Sequence, residues 1–320
     1  MRIVVTGAAG FIGSQLSERA LIEGHTVVGV DCLTDYYDIA IKQSALRALA
    51  EHPAFTHVNN DLLTADIASI VDGADVIFHL AGQPGVRLSW ADGFGQYVQR
   101  NVVATQRLLE AVKTTKAGRV VYASSSSIYG NTDEYPTTEA CIPAPYSPYG
   151  VTKLAGEHLC GLYSANWGVA TIALRYFTVY GPRQRPDMGI NRFLNAAGRG
   201  VPVPLFGDGE QVRDFTFVND VVAANMAAAQ ADVAPGTFMN IAGGGSISVN
   251  GLLAIVESVV GRPIQIERLP AQPGDVRATG GSIERAQKLL DWQPQTSIEQ
   301  GVAAQWDWQR QLESMTTVRS

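Results

Sequence analysis

Residues 2–13 read RIVVTGAAGFIG, and this stretch decides the fold. It opens with a short β-branched run that predicts a buried strand, and it then places Gly7, Gly10 and Gly13 three residues apart. Small residues at a strand-to-helix turn let the backbone approach a pyrophosphate, and the following helix offers free N–H groups and its positive dipole end. The stretch predicts a dinucleotide-binding turn, although three glycines alone would also suit a tight turn or close helix packing.

The chain continues to alternate short β-branched runs with longer segments of helical period. This alternation is typical of a parallel sheet with helices on both faces, so we expect an α/β, doubly wound, Rossmann-like fold. The helical segments include 13–23, 102–114 and 218–230. The expected strands are 2–6, 26–30, 56–59, 76–80, 119–123 and 171–175.

The alternation ends after Arg175, where the sequence predicts loops rich in glycine and proline at 181–188 and 201–213. We therefore expect a second, smaller lobe of mixed α/β structure for the substrate. The prediction assigns 1–175 to a nucleotide-binding domain, lets 217–241 rejoin that domain, and gives 176–216 and 242–320 to the smaller lobe.

Composition excludes several classes of protein. The 320 residues are 46% hydrophobic and carry a formal charge of -6, and the basic residues are scattered, so no nucleic-acid surface is expected. There is neither an apolar run of roughly 18 residues nor a secretory signal pattern, which predicts a cytoplasmic protein without a membrane span. Cys32, Cys141 and Cys160 have unrelated spacings that suit reduced thiols, and no metal is predicted.

Acidic residues after the second and third strands suggest how a dinucleotide would be selected. Asp31 closes the second strand, where its carboxylate can accept hydrogen bonds from the adenosine ribose and would repel a 2′-phosphate. NAD is therefore favoured over NADP. Asp61 is placed to meet the adenine, or equally to cap a helix. After the fourth strand, small residues follow His79, which we expect to be a satisfied core residue.

Hydroxyl groups and a Tyr/Lys pair that follow the fifth strand are the candidate catalytic groups. Ser124 to Ser127 follow the fifth strand, where serines can also simply cap loops. Tyr149 and Lys153 stand four residues apart, which on a helix puts the phenol and the ammonium on one face. A nearby cation favours phenolate, so we expect a lowered pKa and a general-base role for Tyr149. A surface helix pair is the alternative.

With these motifs the sequence resembles the extended short-chain dehydrogenases/reductases of the nucleotide-sugar epimerase group. The resemblance covers nearly the whole chain. It also rests on Asn101-Val102, Leu174 to Phe177, Val179 to Pro182, Arg213 to Thr216 and Pro273 to Asp275. It implies a sheet domain that binds NAD, a C-terminal lobe that binds a nucleoside-diphosphate sugar, and a homodimer formed through helices 102–114 and 154–166.

The resemblance also implies residue roles. Tyr149 removes the sugar 4-hydroxyl proton, Ser125 orients that hydroxyl, and Lys153 binds the nicotinamide ribose and tunes Tyr149. Hydride passes to NAD and returns to the other face of a 4-keto sugar. The implied cofactor-binding residues are Gly7, Gly10, Phe11, Ile12, Gly13, Asp31, Asp61, Leu62, Leu80, Ala81, Gly82, Ser124, Tyr149, Lys153 and Tyr176.

Positions 125 to 127 separate branches of this family. Sugar 4,6-dehydratases carry Thr-Asp-Glu there, and decarboxylating UDP-xylose synthases usually keep a Glu at the last position, whereas Ser125, Ser126 and Ser127 offer no acid for elimination. Plain epimerisation is therefore the better interpretation.

The predicted substrate loops of this sequence resemble those of UDP-glucuronate 4-epimerases more than those of UDP-glucose 4-epimerases. The latter enzymes commonly carry Asn in place of Thr178. Arg185 could bind the C6 carboxylate in a bidentate fork, with a second hydrogen bond from Thr178. A diphosphate contact or a loop salt bridge is the alternative for Arg185.

The remaining implied substrate contacts are Arg87 and Arg213 for the diphosphate, and Gln211 and Asp275 for the nucleoside ribose, although Asp275 could equally be a turn residue. Gly82 in place of a frequent Ala, and the residues Gly189-Ile190-Asn191, depart from the family pattern. The competing functions are a neutral-sugar epimerase, such as a UDP-glucose 4-epimerase, and a non-catalytic NAD-sensing protein.

Overall fold

A seven-stranded parallel sheet forms the centre of the computed structural model, which describes residues 1–270 and 276–317. The strand order is β10-β6-β5-β4-β1-β2-β3, so the chain reverses direction along the sheet between β1 and β4. A crevice at the carboxyl ends of the strands is expected at such a switch point. The strands are β1 (Arg2–Thr6), β2 (Thr26–Val30), β3 (Phe55–Val58), β4 (Val76–His79), β5 (Arg119–Ser125), β6 (Thr171–Tyr176) and β10 (Thr237–Ile241).

Helices cover both faces of this sheet, because successive strand residues point to opposite sides and both sides are apolar. Ile3 and Val5 pack into one hydrophobic cluster, and Val4 packs into another on the opposite face. The first cluster is covered by α1 (Phe11–Ile22), α2 (Ile39–Ala50) and α8 (Val218–Gln230). The second is covered by α3 (Ile67–Val71), α5 (Ala104–Thr114) and α6 (Pro148–Trp167).

Outside the main sheet, two small sheets are formed by β7 (Thr178–Tyr180), β8 (Val203–Phe206), β9 (Val212–Phe217), β11 (Ser246–Ser248) and β12 (Ile266–Leu269). One has the order β11-β9-β7 and the other pairs β12 with β8 in parallel. The helices in this part of the chain are α7 (Gly189–Arg199), α9 (Val249–Val260), α10 (Glu284–Leu290) and α11 (Ile298–Thr317). A short helix α4 (Phe94–Tyr97) and a π-helical segment, Val98–Val103, precede α5.

The structure confirms the predicted fold class and all six predicted strands of the main sheet, with ends shifted by at most a few residues. The return of the chain to the main sheet is also observed, because β10 pairs in parallel with β6. The stretch 201–213 was expected to be a loop, and that expectation was wrong: it contains β8 and the first residues of β9. No helix in the described ranges is long and apolar enough to cross a membrane.

Candidate active site

The glycine turn after β1 is shaped so that only glycine fits. Gly7 has a φ of +76°, and a Cβ there would lie 2.9 Å from the backbone nitrogen of Ala81. A Cβ on Gly13 would lie 2.1 Å from the Gly7 carbonyl oxygen. Gly10 caps α1 without a side chain, so the first N–H groups of this helix are left for a ligand. The turn is therefore a ready anion site at the carboxyl edge of the sheet.

Asp31 links the glycine turn to the end of β2 by hydrogen bonds. Its carboxylate accepts hydrogen bonds from the backbone N–H groups of Ala9 at 3.0 Å and Leu33 at 2.8 Å. A carboxylate has about four acceptor positions, so two remain for a ligand. Asp61 accepts a hydrogen bond from the Leu63 N–H at 2.9 Å and lines the same cavity as Asp31, which is compatible with the predicted adenine contact. It closes a turn and does not cap a helix, because the N-cap of α3 is Asp66.

One continuous cavity runs along the carboxyl edge of the sheet, and we call it the main cavity. It is lined by every residue predicted to bind the cofactor, from the glycine turn and Asp31 at one end to Ser124, Tyr149 and Lys153 at the other. Phe11, Ile12, Leu62, Leu80, Ala81, Gly82 and Tyr176 complete that set. An elongated cavity with an anion site in its wall and a ribose-binding acid at one end has the chemistry that NAD requires.

The sequence analysis assigned no role to several residues that line the main cavity. Lys42, on α2, donates from Nζ to the Thr34 carbonyl oxygen at 2.6 Å and lies 4.6 Å from the centre of the Tyr37 ring. Tyr36, Tyr37 and Arg100 also line the cavity. The sequence pattern that could have pointed to these cavity residues is the run Asp35 to Asp38, which follows Asp31 closely. Its last residue, Asp38, is the N-cap of α2.

The start of α6 positions Tyr149 in the cavity. Ser147 is the N-cap and accepts the Gly150 N–H at 3.1 Å, and Pro148 occupies the first turn. A Cβ on Gly150 would lie 2.5 Å from the Ser127 carbonyl oxygen, so glycine lets the helix approach the serine loop. These contacts bring the phenol to the carboxyl end of β5.

The pKa of Tyr149 differs from the prediction. Burial of the phenol raises its pKa, and the influences that oppose this rise are a hydrogen bond with Ser125 and the charge of Arg185. Lys153 is not among these influences, so the expectation that it lowers the Tyr149 pKa was wrong for this arrangement. The reason is geometric, because the Lys153 ammonium donates to the Ala123 carbonyl oxygen at 2.7 Å.

Burial also acts on Lys153 itself, and it lowers the pKa of the ammonium to about 8. The side chain is only 7% exposed, and its Nζ lies 5.1 Å from the centre of the Tyr122 ring. The ammonium is thus held in the wall of the main cavity, one helical turn from Tyr149, where it can donate to a ligand hydroxyl.

Arg185 lies in the same cavity as Tyr149. Its Nε and Nη2 donate to the two carboxylate oxygens of Asp187, each at 3.0 Å, and its guanidinium lies 5.6 Å from the centre of the Tyr36 ring. A guanidinium has five N–H donors, so this ion pair leaves three for another partner. The loop salt bridge that was predicted as the alternative role of Arg185 is therefore present. It still leaves N–H donors of the guanidinium for a ligand.

The other predicted substrate residues that the structure describes do not line the main cavity. Ser126 and Ser127 form a short 3₁₀ turn after β5, and Thr178 begins β7. Arg87 lies 4.6 Å from the centre of the Phe206 ring, and Arg213 donates to the Val212 carbonyl oxygen at 2.8 Å. Gln211 donates to the Phe206 carbonyl oxygen, while its own buried Oε1 has no hydrogen-bond partner among residues 1–270 and 276–317. Asp275 lies outside the described residues.

The structure gives reasons for both departures from the family pattern. A Cβ on Gly82 would lie 2.8 Å from Asn101 Oδ1, which already accepts the Gln83 N–H at 2.6 Å. Glycine therefore leaves room for the Asn101 amide. Asn191 is buried and donates to the Gln184 carbonyl oxygen at 2.7 Å, which fixes the loop that follows β7 to α7. His79 is a satisfied core residue, bonded to Thr6 and Thr105.

The glycine turn, Asp31 and the Tyr149/Lys153 pair along one cavity define a dinucleotide-dependent enzyme, and comparison with known proteins gives the family. Residues 3–242 match the model of the NAD dependent epimerase/dehydratase family, and the chain belongs to this family.

Three similar proteins represent two sugar specificities. The chain is 41% identical, over 94% of its length and 96% of the relative, to the Bacillus subtilis (strain 168) protein called uncharacterized UDP-glucose epimerase YtcB. It is 35% identical to a UDP-glucuronate 4-epimerase of Thermodesulfobacterium geofontis, with 96% of each chain covered. It is 38% identical to the UDP-glucuronic acid 4-epimerase of Bacillus cereus, solved with UDP-glucuronic acid and NAD, with a TM-score of 0.94 over 98% of this chain and 100% of that one.

Proposed function

We propose that the protein is an NAD-dependent UDP-sugar 4-epimerase that interconverts UDP-glucuronate and UDP-galacturonate. The observation that carries this proposal is that Arg185 and Tyr149 line one cavity, so a carboxylate-binding cation lies beside a proton-transferring phenol. The specificity of the Thermodesulfobacterium geofontis and Bacillus cereus relatives supports this choice of sugar.

Tyr149 is the proton acceptor in this reaction. In its phenolate form Tyr149 receives the proton of the sugar 4-hydroxyl. The hydrogen bond with Ser125 and the charge of Arg185 favour that form against the effect of burial, and the Ser125 hydroxyl orients the sugar hydroxyl. NAD, when bound, supplies the acceptor for the C4 hydride and later its donor. Tyr149 then returns its proton to the oxygen as the hydride is delivered to the opposite face of the 4-keto sugar. No atom is gained or lost over the cycle.

The serine loop favours epimerisation over elimination. Ser125, Ser126 and Ser127 carry no group that can protonate a leaving hydroxyl or accept a C5 proton at neutral pH. A 4-keto uronate is a β-keto acid that can lose carbon dioxide, so its carboxylate has to be restrained. The N–H donors of Arg185 that Asp187 and the Tyr36 hydroxyl leave open can hold that carboxylate.

The decisive experiment mixes the purified protein with UDP-glucuronate, without added cofactor, and follows the sugar by proton NMR. Appearance of UDP-galacturonate is the expected result, and it would also establish that NAD co-purifies. A pentose product with released carbon dioxide would contradict the serine-loop argument. No reaction even after NAD is supplied would exclude the uronate.

The choice of sugar is tested by Arg185→Ala, measured as kcat/KM for UDP-glucuronate and for UDP-glucose in competition. We expect a loss of about 100-fold for the uronate and a much smaller loss for the neutral sugar, since a charge-assisted bond is removed. Arg183→Ala is the matched control, because Arg183 lies in the same loop but pairs with Glu18 at 2.8 Å. Equal losses for both sugars would instead favour the UDP-glucose epimerase that the name of YtcB suggests.

We also propose that the enzyme works as a cytoplasmic homodimer formed through α5 and α6. Val151, Leu162 and Trp167 on α6 are 49%, 55% and 63% exposed, which leaves apolar area for a second copy. The three cysteines are unpaired, as suits a reducing compartment. Sedimentation should give a dimer for the native chain and a monomer for Leu162→Glu.

A further inference from the structure

A buried ion pair lies behind the catalytic groups. Glu157 on α6 is one helical turn beyond Lys153 and two beyond Tyr149, and Arg175 lies on the neighbouring strand β6. The two residues are 8% and 2% exposed. Arg175 donates from Nε to Glu157 Oε2 at 3.0 Å, and from Nη2 to Oε1. A buried ion pair is weak evidence for stability, because desolvation offsets the attraction, so its other bonds are informative.

The second partner of Glu157 is a residue that lines the main cavity. Ser124 donates from Oγ to Glu157 Oε2 at 2.7 Å, and Ser124 lines the main cavity beside Tyr149 and Lys153. A serine hydroxyl has one proton to donate, and here it is used in the hydrogen bond to the Glu157 carboxylate. The Ser124 oxygen can therefore only accept hydrogen bonds from a ligand in the cavity.

Arg175 fixes the other side of the pair. Its Nη1 donates to the Tyr129 hydroxyl at 2.6 Å, and that hydroxyl donates to Asn240 Oδ1 at 2.7 Å. Its guanidinium also lies 4.0 Å from the centre of the Phe238 ring. Residues of the loop after β5 and of strand β10 thus hold Arg175 in place. Arg175 in turn keeps the Glu157 carboxylate from turning away from Ser124.

We propose that Glu157 is a positioning residue that fixes the Ser124 hydroxyl as a hydrogen-bond acceptor toward the nicotinamide end of the cofactor. The carboxamide is the only N–H donor of a nicotinamide, so it is the group that such an acceptor would recognise. The glycine turn takes the pyrophosphate, which leaves the Ser124 end of the cavity for the nicotinamide. This inference rests on the proposed function, because it requires NAD in the main cavity.

The test uses Glu157→Gln, which keeps the shape of the side chain, replaces one carboxylate oxygen by an NH₂ donor and removes the charge that pairs with Arg175. Arg175 requires an acceptor, so the glutamine oxygen faces it and the NH₂ group faces Ser124. The serine proton then turns into the cavity, and Ser124 becomes a donor. We expect NAD to bind at least about tenfold more weakly, as measured by calorimetry on protein freed of cofactor. Glu110→Gln is the matched control, because Glu110 also accepts from a hydroxyl, that of Tyr163, and pairs with a cation, Lys113, but lies on α5, away from the cavity.

A double-mutant cycle separates positioning from a merely structural role. Ser124→Ala alone should weaken NAD binding about tenfold, and adding Glu157→Gln to it should cause little further loss, because both act through one hydroxyl. Additive losses would overturn the proposal. So would unchanged NAD binding by Ser124→Ala, which decides the matter even if Glu157→Gln does not fold.

Binding of NAD is read without any sugar, so a wrong assignment of the sugar would leave this test intact. If the native chain bound no NAD, both the proposed function and this inference would be refuted. A native chain that binds NAD while Glu157→Gln binds it equally well would refute the positioning role alone.

Discussion

Tyr149 is the residue on which the proposed chemistry depends, and its removal gives the first prediction. Tyr149→Phe keeps the ring and its edge contact with Tyr97 but loses the proton acceptor. We expect kcat to fall by about 10²- to 10⁴-fold, the usual contribution of general acid–base catalysis, while NAD stays bound. Turnover by NMR and cofactor content by absorbance check the two parts.

Tyr146→Phe is the control for that substitution, because Tyr146 precedes the same helix and is 55% exposed. It should leave turnover unchanged. Retention of full activity by Tyr149→Phe would remove Tyr149 from the mechanism, and loss of bound NAD would make its role structural.

Single residues were predictable where a motif fixes them and were missed where only packing does. Gly7, Asp31 and Lys153 belong to local patterns, so the sequence places them correctly in the main cavity. Lys42 reaches that cavity from the second helix, and no local spacing relates it to the glycine turn. The pKa of Tyr149 was mispredicted for a similar reason, since the distance between two helix neighbours does not reveal that Ala123 holds the ammonium.

Among the elements, α6 links stability to catalysis, and its cap tests that link. Ser147 caps α6 and Ser248 caps α9, and each accepts a backbone N–H at 3.1 Å. Replacing either by Ala should cost about 1 kcal/mol of unfolding free energy, the usual value of an N-cap. Ser147→Ala should also lower kcat severalfold, because Tyr149 lies in the first turn of α6, whereas Ser248→Ala should not.

Denaturant unfolding and steady-state kinetics on the two variants provide the comparison. If both variants lost stability and neither lost turnover, the position of Tyr149 would not depend on the cap. If both lost turnover, the loss would reflect stability in general rather than the start of α6.

Elements with local signals were predictable, and those that depend on distant partners were not. Helix α8 begins and ends where its apolar period predicts, at Val218 and Gln230. Strand β8 has four residues, includes Pro204, and pairs only with β12, some 60 residues further along the chain. Neither β8 nor β12 has a strong hydropathy pattern of its own, so the sequence of 201–213 predicted a loop.

On the scale of the whole molecule, Asp214 joins segments that are far apart in sequence. It lies on β9, is 2% exposed, and accepts the N–H groups of Gly243, just after β10, and Gly281, just before α10. A Cβ on Gly243 would lie 2.1 Å from the Phe215 carbonyl oxygen, so glycine is needed for this approach. A carboxyl group that has little access to water therefore joins β9 to the segment after β10 and to the segment before α10.

Burial raises the pKa of Asp214 from 3.8 to about 7, and the two N–H donors only partly oppose the rise. Between these values the folded chain retains a proton that the unfolded chain has released. The unfolding free energy should therefore decrease as pH rises from about 4 to 7 and level off above 7, with a slope of at most about 1.4 kcal/mol per pH unit from this group.

Asp214→Asn cannot titrate, so it isolates this contribution. The advantage of the native chain over the variant should shrink by about 2 kcal/mol between pH 5 and pH 8, as measured by denaturant unfolding at each pH. Asp208→Asn is the control, because Asp208 is exposed and pairs with Arg277, which helps to lower its pKa. It should leave the pH dependence in this range unchanged. A constant difference between the native chain and Asp214→Asn would mean that the carboxyl is already ionised in the folded protein at pH 5, held in that form by the Gly243 and Gly281 N–H groups.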